Sequence, residues 1–249
     1  MTESPATATL WHDLECGPYD ADLPLWRRLA AEEGGPVLDL GAGTGRVALD
    51  LARAGFDVVA LDLEQEFLCA LRARADADPA GIGARITTIV GDAREFALPD
   101  RRFPLILAPM QTVQLLGGSA GRGAFLRSVA AHLAPGGLLA AALADALEGF
   151  DAEHTEPPLP DIVELDGWVH VSQPVAVRPG PEGIAIERIR QSVSPDGRRF
   201  AEGDSIHLDA LTADQLTAEG VAAGLRDGGR TRIEATEEHV GSEVVLLRG

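Results

Sequence analysis

The residues best placed for chemistry form a glycine-rich loop at positions 41–45, directly after the apolar run 37–40. Glycine at alternate positions permits a left-handed backbone and lets a ligand approach the main chain closely. A helix that starts at such a loop points its first amides and its positive end at a bound anion. The loop therefore predicts a site for a nucleotide-like ligand. A dinucleotide-binding fingerprint would need glycine or alanine at position 46, where this chain has Arg46.

Three aspartates accompany this loop. Asp39 lies within the apolar run before it, Asp62 ends the next apolar run, and Asp92 follows a third one in the sequence Gly91-Asp92-Ala93. A carboxylate at the position of Asp62 can accept both hydroxyl groups of a ribose, but NAD-binding proteins use the same device. Asp92 is more informative, because the dinucleotide fingerprint contains no such acidic residue.

The periodicity of apolar residues predicts the elements that hold these groups. Strands and helices alternate through residues 1–145, which indicates a parallel sheet with right-handed crossovers. The predicted strands are 37–40, 58–61, 85–90, 105–108 and 138–143. The predicted helices are 23–33, 46–54, 64–75 and 123–133.

The alternation breaks between residues 150 and 210. Strand-like runs follow one another there without helices, and Ser194-Pro195-Asp196-Gly197 is a turn signal between two hairpin arms. After the break, the earlier pattern resumes with a helix capped by Thr212 and two closing strands. The predicted strand-like runs are 168–171, 175–177 and 184–193, and the closing elements are 212–223, 230–235 and 243–247.

These elements predict an α/β fold. It is a doubly wound, mostly parallel seven-stranded sheet with an antiparallel β insertion after strand five. Residues 1–149 and 211–249 would form the main domain, with the N-terminal segment 10–35 as a partial lid. Residues 150–210 would form a cap, which should lie near the carboxyl ends of the strands because the insertion leaves the sheet after strand five.

The segment 37–46, led by Asp39, resembles the first motif of the class I S-adenosylmethionine-dependent methyltransferases. Asp62, Gly91-Asp92-Ala93 and the turn Pro135-Gly136-Gly137 also stand where this resemblance expects them. It covers residues 37–145 well and 212–248 in outline, and it does not cover the insertion. The resemblance implies a Rossmann-like domain, S-adenosyl-L-methionine as the cofactor, and methyl transfer as the reaction.

The resemblance implies a role for each carboxylate. The glycine loop would face the methionyl part of the cofactor, and Asp39 would help to hold its amino group, often through water. Asp62 would bind the ribose, and Asp92 would receive the adenine amino group. The implied cofactor-binding residues are Asp39, Gly41, Ala42, Gly43, Gly45, Arg46, Asp62, Leu63, Gly91, Asp92, Ala93, Pro109 and Tyr19.

The fourth strand should deliver the residues around the transferred methyl group, in the segment 108–114. This segment lacks the Asp/Asn-Pro-Pro-Tyr motif that DNA and protein amide N-methyltransferases often carry. The chain therefore looks more like the small-molecule branch of the family, which includes enzymes of natural-product tailoring. The substrate-contact candidates are Met110, Gln111, Gln114 and Trp168.

No residue stands out as a general base, and an amine substrate can need none beyond water. Tyr19 is a candidate because related enzymes often place an N-terminal tyrosine near the methyl group. His154 and His170 are candidates because they belong to the insertion. The sequence leaves N- and O-methylation open. The alternatives are a reaction of S-adenosylmethionine other than methyl transfer, such as a cyclisation, and an NAD-dependent oxidoreductase, against which Arg46 and Asp92 argue.

The composition argues against several other classes. A net charge of −18 opposes binding to the phosphate backbone of a nucleic acid. No apolar run is long enough to cross a bilayer and the N-terminus lacks the features of a signal peptide, so we expect a cytoplasmic protein. The two cysteines lack ligand spacing, which predicts no metal site. A small molecule is the expected partner, and an exposed edge of the insertion would suit a homodimer.

Overall fold

The computed structural model describes residues 7–145, 147–237 and 239–249. The chain forms two compact units, with divisions after Tyr19, Asp145 and Ala210. The larger unit spans residues 20–145 and 211–249, and the smaller unit contains the described residues 7–19 and 147–210. In the described part of the chain, no helix is long and apolar enough to cross a membrane.

Elements are numbered along the whole chain. The helices are α1 (Ala8–Cys16), α2 (Leu23–Glu33), α3 (Arg46–Arg53), α4 (Gln65–Ala77), α5 (Gly118–His132) and α6 (Ala213–Ala222). The strands are β1 (Val37–Leu40), β2 (Val58–Asp62), β3 (Ile86–Val90), β4 (Phe103–Ala108), β5 (Leu133–Ala144), β6 (Phe150–Asp151), β7 (Asp161–Leu165), β8 (Trp168–Pro179), β9 (Gly183–Val193), β10 (Arg199–Asp209), β11 (Arg226–Ile233) and β12 (Ser242–Arg248). Short 3-10 turns occupy Ile82–Arg85 and Thr112–Leu115.

The larger unit is built on a seven-stranded sheet in the order β11-β12-β5-β4-β1-β2-β3. The five strands from β5 to β3 run parallel, and β12 and β11 add antiparallel pairings at one side. The predicted fold class, a doubly wound and mostly parallel seven-stranded sheet, is confirmed. The order reverses between β1 and β4, which is where open α/β sheets bind their ligands.

Side chains of β1 alternate between the two faces of this sheet. Leu38 and Leu40 join a buried cluster that includes Phe125 and Leu126 of α5. Asp39 therefore lies on the opposite face, where α3 packs against β2, and α2 packs against α3 and β4. An acidic residue is thus placed inside the protein, in the middle of a strand whose four residues are all buried.

The α6 helix begins as the sequence predicts. The Thr212 side chain accepts a hydrogen bond from the Gln215 amide, and the Gln215 side chain accepts one from the Thr212 amide. This reciprocal capping box satisfies two amides that would otherwise lack a partner at the start of the helix. It fixes where the chain re-enters the larger unit after the insertion.

The smaller unit is an antiparallel sheet in the order β10-β9-β8-β6, with β7 also paired to β8. The arms β9 and β10 meet at the predicted turn, where the Ser194 amide donates to the Arg198 carbonyl at 2.9 Å. The antiparallel β insertion after strand five is therefore confirmed. Its strands are longer than their apolar runs indicate, since the polar positions between those runs continue the pairing.

The first helix belongs to this smaller unit. Trp11 and Glu15 of α1 are directed at the sheet, and the Glu15 carboxylate accepts two hydrogen bonds from Arg190 at 2.8 and 2.9 Å. Ser172 donates a further bond to Glu15 at 2.7 Å. The predicted lid segment 10–35 is accordingly divided between the two units after Tyr19. Its action as a lid stays a prediction.

Candidate active site

The glycine loop lies between β1 and α3, as predicted, and its three glycines all have positive φ angles: 72° at Gly41, 54° at Gly43 and 99° at Gly45. Two of them also lack room for a side chain. A Cβ on Gly41 would lie 2.9 Å from the side chain of Thr112, and one on Gly45 would collide with Leu71. The loop is therefore held between α4 and the segment that follows β4.

Asp39 is fully buried. Among the described residues, no group makes a hydrogen bond of normal geometry to either of its carboxylate oxygens. Burial raises the pKa of Asp39 to about 7, and the negative charges of Asp62 and Asp22 add to that effect. The Arg46 guanidinium and the Ala48 amide lower the pKa in opposition. A buried carboxylate without a partner is costly, so this group calls for a cationic or hydrogen-bonding ligand.

Arg46, the first residue of α3, is held by a carboxylate that sequence reasoning did not identify. Its guanidinium donates to Oδ1 and Oδ2 of Asp22 at 2.5 and 2.7 Å. Asp22 stands directly before α2 and is fully buried. A Leu-Pro sequence after Asp22 signals a helix start, but no local signal names Arg46 as its partner, because 24 positions separate them. The role of Arg46 toward a cofactor stays a prediction.

Asp62 ends β2 beside the glycine loop. Its Oδ2 accepts a hydrogen bond from the Gly43 amide at 2.7 Å, and its Oδ1 accepts one from the Glu64 amide at 2.9 Å. The next residue, Leu63, leaves 60% of its surface exposed. A carboxylate flanked by an exposed apolar side chain is a suitable arrangement for a ligand with a polar sugar and a flat ring.

Asp92 follows β3, as predicted, and it is paired with Arg94. The Arg94 guanidinium donates to both of its oxygens, at 2.6 Å for the Nη2 to Oδ2 contact. The Arg94 side chain holds the pKa of Asp92 below its usual range. Gly91 donates to the Asp62 carbonyl at 2.9 Å, and Ala93 packs on the core of the larger unit. Asp62 and Asp92 thus lie at the carboxyl ends of the adjacent strands β2 and β3.

The segment after β4 contains the predicted Pro109, Met110, Gln111 and Gln114. Met110 has a φ of 53°, a strained backbone conformation for a residue with a side chain. Thr112 donates its hydroxyl to the Pro109 carbonyl at 2.8 Å, which fixes the bend against the glycine loop. Gln114 is buried, and its Oε1 accepts a hydrogen bond from the Ala144 amide at 2.9 Å. That bond ties the segment to β5, and substrate contact by Gln114 stays untested.

The remaining candidates belong to the smaller unit. Tyr19 is buried, and His170 is buried with its Nδ1 at 2.8 Å from the Ser192 hydroxyl. The His170 ring lies parallel to that of Trp168 at 6.3 Å and edge-on to that of Trp11 at 5.7 Å. Burial lowers the pKa of His170, so it is neutral at physiological pH.

His154 lies beside two acidic side chains. Its ligand atoms and those of Asp151 and Glu153 fall within 4.8 Å of one another. Asp151 also accepts hydrogen bonds from the Glu153 amide and from Arg178, at 3.0 and 2.9 Å. These contacts explain the cluster as a capped turn at the surface, and the absence of a metal site stays a prediction.

Comparison with known proteins finds matches to methyltransferases in the larger unit. Residues 37–137 match a family model described as a methyltransferase domain. A Streptomyces protein, cypemycin N-terminal methyltransferase, is 34% identical over 159 residues, which are 62% of this chain and 60% of that protein. A ubiquinone biosynthesis O-methyltransferase of Bradyrhizobium diazoefficiens is 32% identical over 127 residues, 51% of this chain and 46% of that protein. The chain thus spans about half the length of these curated relatives.

A solved structure is similar over most of the chain. The glycopeptide N-methyltransferase MtfA, in complex with S-adenosyl-L-homocysteine, is 28% identical, with a TM-score of 0.62 over 90% of this chain and 86% of that one. The family match begins at β1 and ends at the turn before the apolar part of β5, so it contains the glycine loop and all three aspartates. The predicted resemblance to class I methyltransferases is confirmed.

Proposed function

We propose that this chain, whose residues 37–137 belong to the methyltransferase-domain family, transfers a methyl group from S-adenosyl-L-methionine to a nitrogen or oxygen atom of a small molecule. The observation that carries the proposal is the carboxylate of Asp39, which is fully buried beside the glycine loop without a hydrogen-bond partner in the described chain. An ammonium group bound there would remove the cost of this buried charge. The cofactor has such a group in its methionyl part.

The other residues of the site fit the rest of this cofactor. Asp62 has both oxygens at the carboxyl end of β2, where they can share their remaining lone pairs with two ribose hydroxyls. Exposed Leu63 offers an apolar surface to a flat ring, and Asp92 offers an acceptor to an adenine amino group. The proposed cofactor-binding residues are Asp39, Gly41, Ala42, Gly43, Gly45, Arg46, Asp62, Leu63, Gly91, Asp92, Ala93, Pro109 and Tyr19.

For this reaction the protein mainly has to place the cofactor and the acceptor correctly. The cofactor, when bound, supplies a methyl group already activated by its sulfonium centre. The chain would bind the cofactor at the loop, orient the acceptor in line with the methyl group and exclude water. The strained backbone at Met110 supports the proposal that the segment after β4 positions the acceptor. Tyr19, His154 and His170 remain the candidates for moving a proton.

The names of the relatives support a proposal for the acceptor class. One relative is named as a cypemycin N-terminal methyltransferase and MtfA as a glycopeptide N-methyltransferase, whereas the Bradyrhizobium relative is named as an O-methyltransferase. We propose a natural-product acceptor for this chain, with an amine before a hydroxyl. An amine suits a site without an assigned general base, because its proton can pass to water.

We also propose roles for the parts of the chain around the site. Residues 150–210 would cap the substrate side, and the segment around Tyr19 would close the cofactor pocket. We further propose a cytoplasmic homodimer that binds neither nucleic acid nor membranes. The net charge of −18 supports the exclusion of nucleic acid. The strand β10, which stands at one end of the smaller sheet, supports association with a second copy.

Formation of S-adenosyl-L-homocysteine tests the function. The purified chain, S-adenosyl-L-methionine and a panel of small natural-product amines and alcohols should yield this product only when an acceptor is present, with the acceptor heavier by one methyl group. Binding should be seen by thermal shift with S-adenosyl-L-homocysteine and not with NAD. Stabilisation by NAD alone would support an oxidoreductase. Consumption of the cofactor without methylated product would support a different reaction of the same ligand.

A further inference from the structure

Two buried carboxylates and one partly buried cation lie near the starts of α2 and α3. The Arg46 guanidinium is held by both oxygens of Asp22, and it acts on the charge of Asp39 in the neighbouring strand. The Arg46 side chain is only 12% exposed, and Asp22 and Asp39 are fully buried. Because Asp22 already occupies the guanidinium fork, Arg46 is only a partial counter-ion for Asp39.

Among the described residues that act most strongly on Asp39, Arg46 is the one cation. From α3 it faces Arg46 and the Ala48 amide, from the start of α2 it faces Asp22, and from the end of β2 it faces Asp62. In the sheet it lies opposite Ala60 of β2 and Leu107 of β4, which carry no charge. If every group were ionised, three carboxylates would share one guanidinium. Such a buried site lowers its free energy by taking up a proton.

We propose that the cofactor's α-ammonium group displaces a proton from Asp39 when it binds, and that Asp22 is a positioning residue that sets, through Arg46, the pH at which this exchange occurs. The inference rests on the proposed function, because it takes the ammonium group of that cofactor as the ligand. The balance of the step is simple. The carboxylic acid of Asp39 loses its proton to the buffer, and the carboxylate accepts the ammonium group as its new counter-ion.

The geometry explains why Asp22 has this role. Its two oxygens fix the direction of the Arg46 guanidinium, so the guanidinium cannot turn to pair with Asp39 in the same bidentate manner. Its negative charge also opposes ionisation of Asp39 directly. Both effects add to that of burial, so Asp39 is protonated in the free protein below about pH 7. A ligand must therefore supply the missing positive charge.

Calorimetry with S-adenosyl-L-homocysteine measures the exchange directly. Titrations in two buffers of different ionisation enthalpy should show release of about one proton per ligand at about pH 6 and almost none at about pH 8.5. The Kd should weaken by about fivefold between about pH 7 and about pH 6, and the dependence on Asp39 should level off by about pH 8. The ligand's own amino group stays protonated in the lower part of this range, so it does not cause the change.

Three variants separate positioning from mere support of the fold. Asp22→Asn removes a negative charge and keeps the side chain's size, so the midpoint of the pH dependence should move to lower pH. The double variant Asp22→Asn/Arg46→Gln also removes the cation, so that no guanidinium is left without its Asp22 partner. Because Asp39 then lacks the cation that favours its charged form, the midpoint should move to higher pH. Asp50→Asn is the matched control. Asp50 forms a similar bidentate pair with Arg27 between α3 and α2 and is not among the charges that act most strongly on Asp39, so its loss should leave the midpoint unchanged.

The results of these titrations can distinguish failure of this inference from failure of the proposed function. Absence of binding at every pH would contradict the proposed function and the inference together. Saturable binding without proton release at about pH 6 would overturn the inference alone and leave the function standing. Equal shifts in Asp22→Asn, the double variant and Asp50→Asn would show that Asp22 only supports the fold. Opposite shifts in the first two, with none in the third, support the assignment.

Discussion

The amide of Gly43 donates a hydrogen bond to Oδ2 of Asp62 at 2.7 Å. This contact joins the centre of the glycine loop to the end of the neighbouring strand. Asp62 therefore has two tasks, since it fixes the loop through its own oxygens and would also meet the ribose of the cofactor. A substitution at Asp62 removes both, and a comparison of two substitutions can separate them.

Asp62→Ala should weaken binding of S-adenosyl-L-homocysteine strongly while the chain remains folded. It removes the carboxylate's bonds to the ligand, each worth about 1.5–3 kcal/mol before compensation by water, and it releases the loop. Asp62→Asn keeps an acceptor for the Gly43 amide and should lose less. Calorimetry of both variants measures the difference. Near-normal affinity in Asp62→Ala would remove this residue from the site.

Gly43→Val should abolish cofactor binding more completely than Asp62→Ala. The valine side chain would occupy space next to the loop's ligand-facing backbone and would strain a residue at φ 54°. Gly55→Val is a matched control, since Gly55 also has a positive φ and lies at the end of α3 with open space around its Cα. Both variants should lose thermal stability. The control Gly55→Val should keep its affinity for the cofactor. If Gly43→Val kept its affinity too, the placement of the loop in the cofactor site would be wrong.

Asp39→Asn should stabilise the ligand-free chain at pH 8 while weakening cofactor binding. A carboxyl group whose pKa is raised by folding to about 7 holds its proton more tightly in the folded state than in the unfolded one. Wild-type stability should therefore fall as the pH rises from about 4 to about 7, by at most about 1.4 kcal/mol per unit, and level off above. Asparagine has no such dependence.

Urea unfolding at pH 5 and pH 8 measures this effect. The stability gain of Asp39→Asn over the wild type should be larger at pH 8 and amount to a few kcal/mol, on the order of the pKa shift. Asp50→Asn again serves as the control, because Asp50 belongs to a partly exposed pair. An Asp39→Asn protein with the same pH dependence as the wild type would show that Asp39 is not the group that titrates.

His132 should matter for stability and not for binding. Its Nε2 accepts a hydrogen bond from the Leu98 amide at 2.9 Å, and its Nδ1 lies 2.7 Å from the Ser128 carbonyl, to which it can donate. His132→Leu leaves both backbone groups without this partner and should cost about 1–3 kcal/mol. His154→Leu, at an exposed position, is the comparison and should change stability by less than about 0.5 kcal/mol. Chemical denaturation and calorimetry together separate stability from affinity.

The sequence predicted the parallel sheet and the position of the glycine loop because both depend on local patterns. Short apolar runs, loops and helix caps alternate along residues 37–145, and each can be recognised within a few positions. The positive φ angles of Gly41, Gly43 and Gly45 follow from residue type in the same way. The capping box of α6 was likewise visible as a threonine at the start of a helical run.

Contacts between distant parts of the chain could not be predicted in this manner. The motif predicts a cofactor contact at Arg46, and the structure pairs Arg46 with Asp22, 24 positions earlier. In the sequence, nothing distinguishes Glu15 from the other acidic residues. In the structure it pairs with Arg190 of β9, which is 175 positions away. A charge pattern along the chain does not specify which acid meets which arginine when 39 acidic residues are present. Only the folded structure shows which acidic residue pairs with which arginine.

The smaller unit should determine which acceptor is methylated. Trp168 lies between two rings, with Phe200 at 5.8 Å and His170 at 6.3 Å, and the turn 194–197 closes the hairpin of β9 and β10. All the proposed cofactor contacts except Tyr19 belong to the larger unit, so we expect specificity to come from elsewhere. Trp168→Ala, Phe200→Ala and a replaced 194–197 turn should each alter turnover or acceptor preference.

The cofactor affinity of these variants should stay within about 0.5 kcal/mol of the wild type, provided that thermal melting shows an intact fold. Rates measured with several methyl acceptors, at saturating S-adenosyl-L-methionine, report the effect on the acceptor alone. His239, in a turn of the larger unit, offers a control substitution far from these residues in sequence. Unchanged KM, kcat and acceptor preference in all three variants would make the insertion scaffolding. The segment 109–122 after β4 would then be the part of the chain that recognises the acceptor.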